Sequence, residues 1–210
     1  MIVKTLKLNS KLEGLVTNCY IGIDESTNKA IVIDPPGETD KIVNELNKLK
    51  ATLEYIILTH CHVDHICGVN ELVEKMGGKI AIGSKESSQV NNEKVSLVFL
   101  GNITYPEIHV SKELNDNEVL MLGETKLEIL HTPGHTGGSI SIYSKNDNIV
   151  FTGDTLFQNT YGRTDLPTGS EIDIINSIKN KLLVLPEETI VYPGHGIETN
   201  IKNEKINFRT

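Results

Sequence analysis

Tyr55-Ile56-Ile57-Leu58-Thr59-His60-Cys61-His62-Val63-Asp64-His65 passes from a short apolar run directly into three imidazoles and a carboxylate. The β-branched and aromatic character of residues 55–58 reads as a strand, so the histidines lie at a strand end. Neutral imidazole is the commonest protein ligand for zinc and iron, and carboxylate suits harder ions. Alternate side chains of an extended segment share a face, so His60 and His62 can close on one ion like a pincer. Asp64 and His65 fall where a helix-like stretch begins and runs to residue 76, and that turn can aim them at a second ion. Singly, each residue has a plainer reading, as a loop histidine or, for Asp64, as an acceptor for free helix N–H groups. The four together read as a metal centre.

Working outward, residues 2–8, Val16–Ile23 and 30–33 are further strand-like runs. Residues 40–49 set Ile42, Val43, Leu46 and Leu49 on a helical stripe, and 71–76 continues the helix after the histidines. Val119–Leu122 and 125–130 form a hairpin about Gly123-Glu124, and 139–143 pairs with 149–151 across a polar turn. Residues 170–183 read as one helix with Ser170 as cap, Glu171 and Asp173 in its first turn, and Ile172, Ile175, Ile178, Leu182 and Leu183 on one side. A strand over 189–192 follows. Strands leading to helix, twice over, predict an α/β fold in which two sheets are flanked by helices, a four-layer αββα sandwich in a single domain over 1–210. Ile57-Leu58-Thr59-His60 has a faint echo in Ile129-Leu130-His131, which leads to His135, suggesting two related halves that meet at the site.

With 210 residues and 38% hydrophobic content, one domain of this size buries about 70% of its unfolded-chain surface. No signal peptide or membrane span is evident, so the cytoplasm is the expected location. Cys19, Cys61 and Cys67 cannot all pair and form no Cys-x-x-Cys, which fits a reducing compartment and small buried thiols. The formal charge of −8 opposes attraction to a phosphate backbone, so nucleic acid is not an expected partner, and with no apolar span neither is a membrane. Arg163, Lys202, Lys205 and Arg209 are the nearest cations for an anionic small substrate, though the last three suit a solvated basic face equally well. Oligomeric state is not legible.

Three more positions supply what a two-ion site lacks. His135 stands in Thr132-Pro133-Gly134-His135-Thr136-Gly137-Gly138, Asp154 in Phe151-Thr152-Gly153-Asp154, and His195 in Tyr192-Pro193-Gly194-His195-Gly196. All follow apolar strands. In the repeated Pro-Gly-His, proline fixes the turn and glycine permits close backbone approach while the imidazole is presented. His131 reads as a core histidine or a partner that orients a ligand, and His109 has no motif around it.

This ordered set resembles the metallo-β-lactamase-fold superfamily, and within it the glyoxalase II-like, hydroxyacylglutathione hydrolase-like enzymes. The resemblance spans nearly the whole chain, including Asn18-Cys19-Tyr20, Ile33-Asp34-Pro35 and Gly162-Arg163-Thr164-Asp165. It implies that His60, His62 and His135 hold a first metal, that Asp64, His65 and His195 hold a second, and that Asp154 bridges them. Asp34 is implied as an acid supporting a ligand. The cofactors implied are two divalent ions, zinc first, with iron or manganese as alternatives. The implied activity is hydrolysis of a small-molecule thioester such as S-D-lactoylglutathione by a metal-bridging hydroxide, with Asp64 orienting it; Arg163 reads equally as an anchor for an anionic substrate and as half of a salt bridge with Asp165 or another acid. Class B1 lactamases have cysteine where Asp154 stands, and flavodiiron proteins have glutamate where His62 stands, so neither pattern fits. Three alternatives remain. One is a persulfide dioxygenase with one iron on His60, His135 and Asp154; another is a lactonase using the same two ions, with Tyr161 polarising the substrate; the third is a non-catalytic metal-binding module. The helical domain with which full-length glyoxalase II enzymes grip glutathione has no counterpart after His195, which leaves the thiol carrier open.

Overall fold

The computed structural model describes residues 1–101, 103 and 107–208 of the chain. Strands β1 (Ile2–Asn9), β2 (Val16–Ile23) and β3 (Lys29–Ile33) form an antiparallel meander. Helix α1 (Thr39–Lys48) then returns the chain to β4 (Thr52–Leu58), parallel to β3. Helices α2 (Val63–Ile66) and α3 (Val69–Met76) lead to β5 (Lys79–Gly83), and α4 (Glu93–Ser96) precedes the edge strand β6 (Lys112–Leu114), both strands again parallel to their neighbours.

The second sheet opens with an antiparallel run of β7 (Val119–Leu122), β8 (Thr125–His131), β9 (Ile140–Ser144) and β10 (Ile149–Gly153). A small hairpin of β11 (Leu156–Phe157) and β12 (Thr160–Tyr161) and the helix α5 (Glu171–Ser177) intervene before β13 (Ile190–Pro193), parallel to β10. β14 (Thr199–Asn200) and α6 (Ile201–Asn207) complete the order. Among the described residues each main sheet has six strands, in the orders β1-β2-β3-β4-β5-β6 and β14-β13-β10-β9-β8-β7.

Side-chain alternation makes this the expected αββα sandwich. Tyr55 and Ile57 point between the sheets toward Ile129, Ile142 and Phe151. Ile56 and Leu58 point the other way, into a layer shared with Ile42 and Leu46 of α1 and Leu72 of α3. Across the second sheet Val150 and Val191 pack against Ile174, Ile178 and Ile201. A strand buried on both faces has no polar side, which is why residues 55–58 read as an unbroken apolar run. Truncating Ile57, fully buried, costs about 2–5 kcal/mol.

Two helices differ from expectation. The segment after the histidines turns helical already at Val63. The expected helix over 170–183 is capped by Ser170, whose Oγ accepts from Asp173 N at 3.3 Å, but gives way at Ile178–Leu182 to a π-helical turn. The buried stripe there runs through Ile174 and Ile178, leaving Ile172 76% exposed. No helix among the described residues is long and apolar enough to cross a membrane.

Strands β3, β4, β8, β10 and β13 end toward the same end of the sandwich. The loops that leave them carry Asp34, His60 to His65, His135, Asp154 and His195, so strand direction alone gathers these residues from across the chain.

Candidate metal centre

The loop after β4 presents His60 and His62, and α2 starts at once, with His62 at its N-cap and Asp64 and His65 in its single turn. All four are buried. His60, His62 and His135 bring one ligand atom each to within 4.8 Å of one another, and so do Asp64, His65 and His195. Asp154 stands beside both groups, an oxygen lying 3.5 Å from Nε2 of each of His65, His135 and His195. All seven ligand-type residues anticipated from sequence therefore meet at one place.

Hydrogen bonds orient the rings. Carboxylates and carbonyls only accept, so each of these bonds fixes a proton on Nδ1 and turns Nε2 inward. His65 Nδ1 donates to Asp34 Oδ2 at 3.0 Å, His135 Nδ1 to Arg163 O at 2.8 Å, and His195 Nδ1 to Val16 O at 2.8 Å. For His60 the chain is longer: Thr59 Oγ1 donates to Asp34 Oδ2 at 2.6 Å, leaving that hydroxyl to accept from His60 Nδ1 at 3.0 Å. Asp34 also accepts from Thr59 N at 2.8 Å. It sits at φ 51, in the left-handed region, right after β3. With its oxygens so engaged, Asp34 acts as a strut for two imidazoles, although it too lies near His60 and His65.

The donor set suits cations. Buried His60 Nε2 and Asp154 Oδ1 have no hydrogen-bond partner, a costly state unless something else engages the site. Bonds of 2.0–2.2 Å in a tetrahedron place ligand atoms about 3.4 Å apart. Around the second group the separations are 3.4 Å for His65 Nε2 to Asp64 Oδ2, 3.3 Å for His65 Nε2 to His195 Nε2, and 3.2 Å for His195 Nε2 to Asp64 Oδ2. His135 Nε2 and His62 Nδ1 approach more closely, 2.8 Å apart.

The two groups differ electrostatically. Burial and the neighbouring imidazoles push His60 well below the ordinary histidine range, and burial with His135 beside it lowers His62 to about 3. Both are neutral, the ligand form. Burial would also lower His65 and His195, but the carboxylates of Asp154, Asp64 and Asp34 outweigh it at His65, and Asp64 and Asp154 outweigh it at His195, so both are raised. Negative potential concentrates there, where a divalent cation is favoured.

Close approach depends on glycine at two points. A Cβ on Gly194 would strike the Asp154 carboxylate, and one on Gly162 would strike the Asp154 carbonyl. The loop bearing His195 is tied down by β2: Asn18 N donates to Gly194 O at 2.8 Å and Tyr20 Oη to Pro193 O at 2.6 Å.

Other expected residues lie elsewhere. The Tyr161 hydroxyl is 3.4 Å from Glu171 Oε1 and its ring packs near Phe208, because alternation along β12 turns it from the site while Gly162 faces in. Arg163 lines the cavity, but its guanidinium is held by Asp165 through two bonds of 2.7 Å. Lys202 and Lys205 lie on the far C-terminal face, Lys205 3.7 Å from Glu187, and Arg209 is outside the described residues. His131 lies away from the ligand groups, its ring 3.1 Å from Gly137 O.

Sequence reasoning missed Glu86. This buried acid accepts from Cys61 N at 3.1 Å, so it grips the backbone between the two pincer histidines. It also raises the Cys61 thiol, which burial already pushes up. Its sequence context, Ser84-Lys85-Glu86-Ser87, is that of a surface turn and carries no signal.

The Metallo-beta-lactamase superfamily model matches residues 12–195. Hydroxyacylglutathione hydrolase GloC of Haemophilus influenzae is 37% identical over 194 residues, covering 90% of this chain and 89% of that one. The BLEG-1 B3 metallo-beta-lactamase structure is 31% identical with a TM-score of 0.88, covering 98% of this chain and 97% of that one. ETHE1 from Myxococcus xanthus is 30% identical with a TM-score of 0.80, covering 100% and 84%. TTHA1623 in a di-iron-bound form is 29% identical with a TM-score of 0.84, covering 96% of each chain.

Proposed function

This chain belongs to the metallo-beta-lactamase superfamily of metal-dependent hydrolases, and on that footing we propose that it is a thioesterase of the glyoxalase II type. The observation that carries this reading is the pair of ligand groups meeting at Asp154, whose Oδ1 has no hydrogen-bond partner. On it, His60, His62 and His135 hold one ion, Asp64, His65 and His195 hold another, and Asp154 lies between them. Two divalent cations bound there, zinc first with iron or manganese as alternatives, would supply Lewis acidity and bring the pKa of a water down to about 7.

The chain's own groups do the rest. Asp64 places Oδ2 against His65 and His195, and its other oxygen is left to orient the attacking water. Water adds to the thioester carbonyl, the C–S bond breaks, and acid and thiol are released. The departing thiolate has a conjugate-acid pKa near 8.5 and needs little help from a general acid. This agrees with the absence of a further acid–base pair among the described residues lining the cavity.

The GloC relative supports S-D-lactoylglutathione as the first substrate to test, and BLEG-1 recommends a β-lactam beside it. The test is release of free thiol from a panel of acyl-thiols by metal-loaded protein. We expect turnover that a chelator abolishes; no thiol from any member at full metal occupancy would overturn the reading. A one-iron persulfide dioxygenase is the second reading, because His60, His135 and Asp154 also meet here. Oxygen uptake with glutathione persulfide at one iron per chain would favour it. The complete Asp64, His65 and His195 group weighs for the hydrolase. A lactonase loses its proposed polarising hydroxyl, since Tyr161 faces Glu171.

A further inference from the structure

Five apolar side chains line the cavity together with the ligand groups: Leu12, Leu15, Leu97, Phe157 and Leu166. They come from separate parts of the chain, namely the loop between β1 and β2, the residue after α4, strand β11 and the loop after β12. Leu97 is buried and the other four are half-buried, and together they make one apolar side of the cleft. Leu12, Leu97 and Leu166 also pack with Val63 and Cys67 around α2, so this collar is built onto the element that carries Asp64 and His65. Leu97 is held at φ 63, a left-handed conformation that a bulky residue rarely adopts, and it is buried. The Phe157 ring stands edge-on to His195, their centroids 6.2 Å apart.

Charge points the same way. Among the described residues lining the cavity, Arg163 is the only lysine or arginine, and Asp165 already occupies its guanidinium through two 2.7 Å bonds. Among the described lining residues, a thiol carrier bearing carboxylates would reach a side-chain cation only by displacing the exposed Asp165 from Arg163. The cavity holds about 300 Å³, at the small end of ligand pockets.

Resting on the thioesterase reading, we propose that the site selects neutral acyl-thiols with a short aliphatic acyl group over the hydroxyacyl ester of a carboxylate-bearing thiol such as glutathione. The collar takes the aliphatic arm, and the thiol carrier is left largely in solvent.

The test is a matrix of acetyl, propanoyl, butanoyl and D-lactoyl thioesters, each on N-acetylcysteamine and on glutathione, assayed by thiol release with the metal-loaded protein. We expect kcat/KM to rise roughly threefold per added methylene. Butanoyl should exceed D-lactoyl on the same thiol by about tenfold, and glutathione should give no gain over N-acetylcysteamine. Leu166→Ser and, separately, Leu12→Ser should reduce turnover of the butanoyl ester several-fold more than that of the acetyl ester, with metal content intact. D-lactoyl equal to or better than butanoyl, a tenfold preference for glutathione, or equal losses on both esters in the two variants would overturn the selectivity while leaving the thioesterase standing. Hydrolysis of no ester at full metal occupancy would overturn the underlying reading, and the selectivity with it.

Discussion

Asp24 and Asp154 are both buried acids placed one residue beyond a strand, at opposite ends of the sandwich. Asp24 is satisfied by its own chain. Its Oδ1 accepts from Ser26 Oγ at 2.7 Å, Thr27 N at 2.9 Å and Thr27 Oγ1 at 2.6 Å, and its Oδ2 accepts from Thr125 Oγ1 at 2.7 Å. The last bond reaches β8 and staples the two sheets together. Asp154 lies among three imidazole nitrogens at 3.5 Å, with Oδ1 unpartnered. The difference separates a carboxylate kept for the fold from one kept for a cation: burial is alike, and hydrogen-bond saturation distinguishes them.

That contrast can be broken most sharply at Asp154. Asp154→Asn should lower thiol release roughly 10³-fold, in line with the several kcal/mol that metal polarisation supplies, while leaving the melting temperature of the chelated protein unchanged or higher. A large fall in chelated stability would make Asp154 a structural acid like Asp24.

Glu86 sharpens the comparison, since it acts on the ligands from outside. Glu86→Ala should weaken metal binding by roughly 10–100-fold, as loss of a ligand's supporting partner commonly does. Glu86→Gln, which keeps an acceptor for Cys61 N, should recover most of that in a metal titration of the apoprotein. Equal losses in both variants would show that charge, rather than the bond to Cys61, is what matters.

At the other end, Asp24→Ala should cost about 1–3 kcal/mol of stability by denaturant titration, with metal content and turnover retained. Loss of metal would contradict the separation of the two ends. The smallest effect concerns pH. Hydrogen bonds from Thr27 and Ser26 hold Asp24 well below the usual carboxylate range. A depressed folded-state pKa contributes stability that is present above the unfolded value near 3.9 and is lost as pH falls through the folded one. The deficit of Asp24→Asn relative to the parent should therefore shrink below about pH 4; a constant deficit would mean that Asp24 gains nothing from ionisation.

The same two ends explain what the sequence made legible. Each ligand follows an apolar strand and a Pro, Gly or Thr turn, so His60, His135, Asp154 and His195 announce themselves locally. The doubly buried β4 was readable for the same reason. Strand β5, which carries Ile80 and Ile82 into the core, lies between polar turns and is only five residues long, and α6 buries little beyond Ile201 and Glu204, so neither left a pattern. Glu86 acts through a bond to a residue 25 positions away, a relation that no local window contains, whereas Asp34, 31 positions from His65, is reached through the family resemblance. Tyr161 is only a conceivable polarising hydroxyl from sequence, packing being the commoner role of a loop tyrosine, and its ring does pack near Phe208.

On the proposed reading Asp154 joins two cation sites. Metal content per chain, measured by elemental analysis after saturation and removal of free metal, tests it most directly. Two divalent ions per chain in the parent protein, falling to one or none in Asp154→Asn, is the predicted result. A fully active parent that holds a single ion, or an Asp154→Asn variant that still holds two, would contradict it.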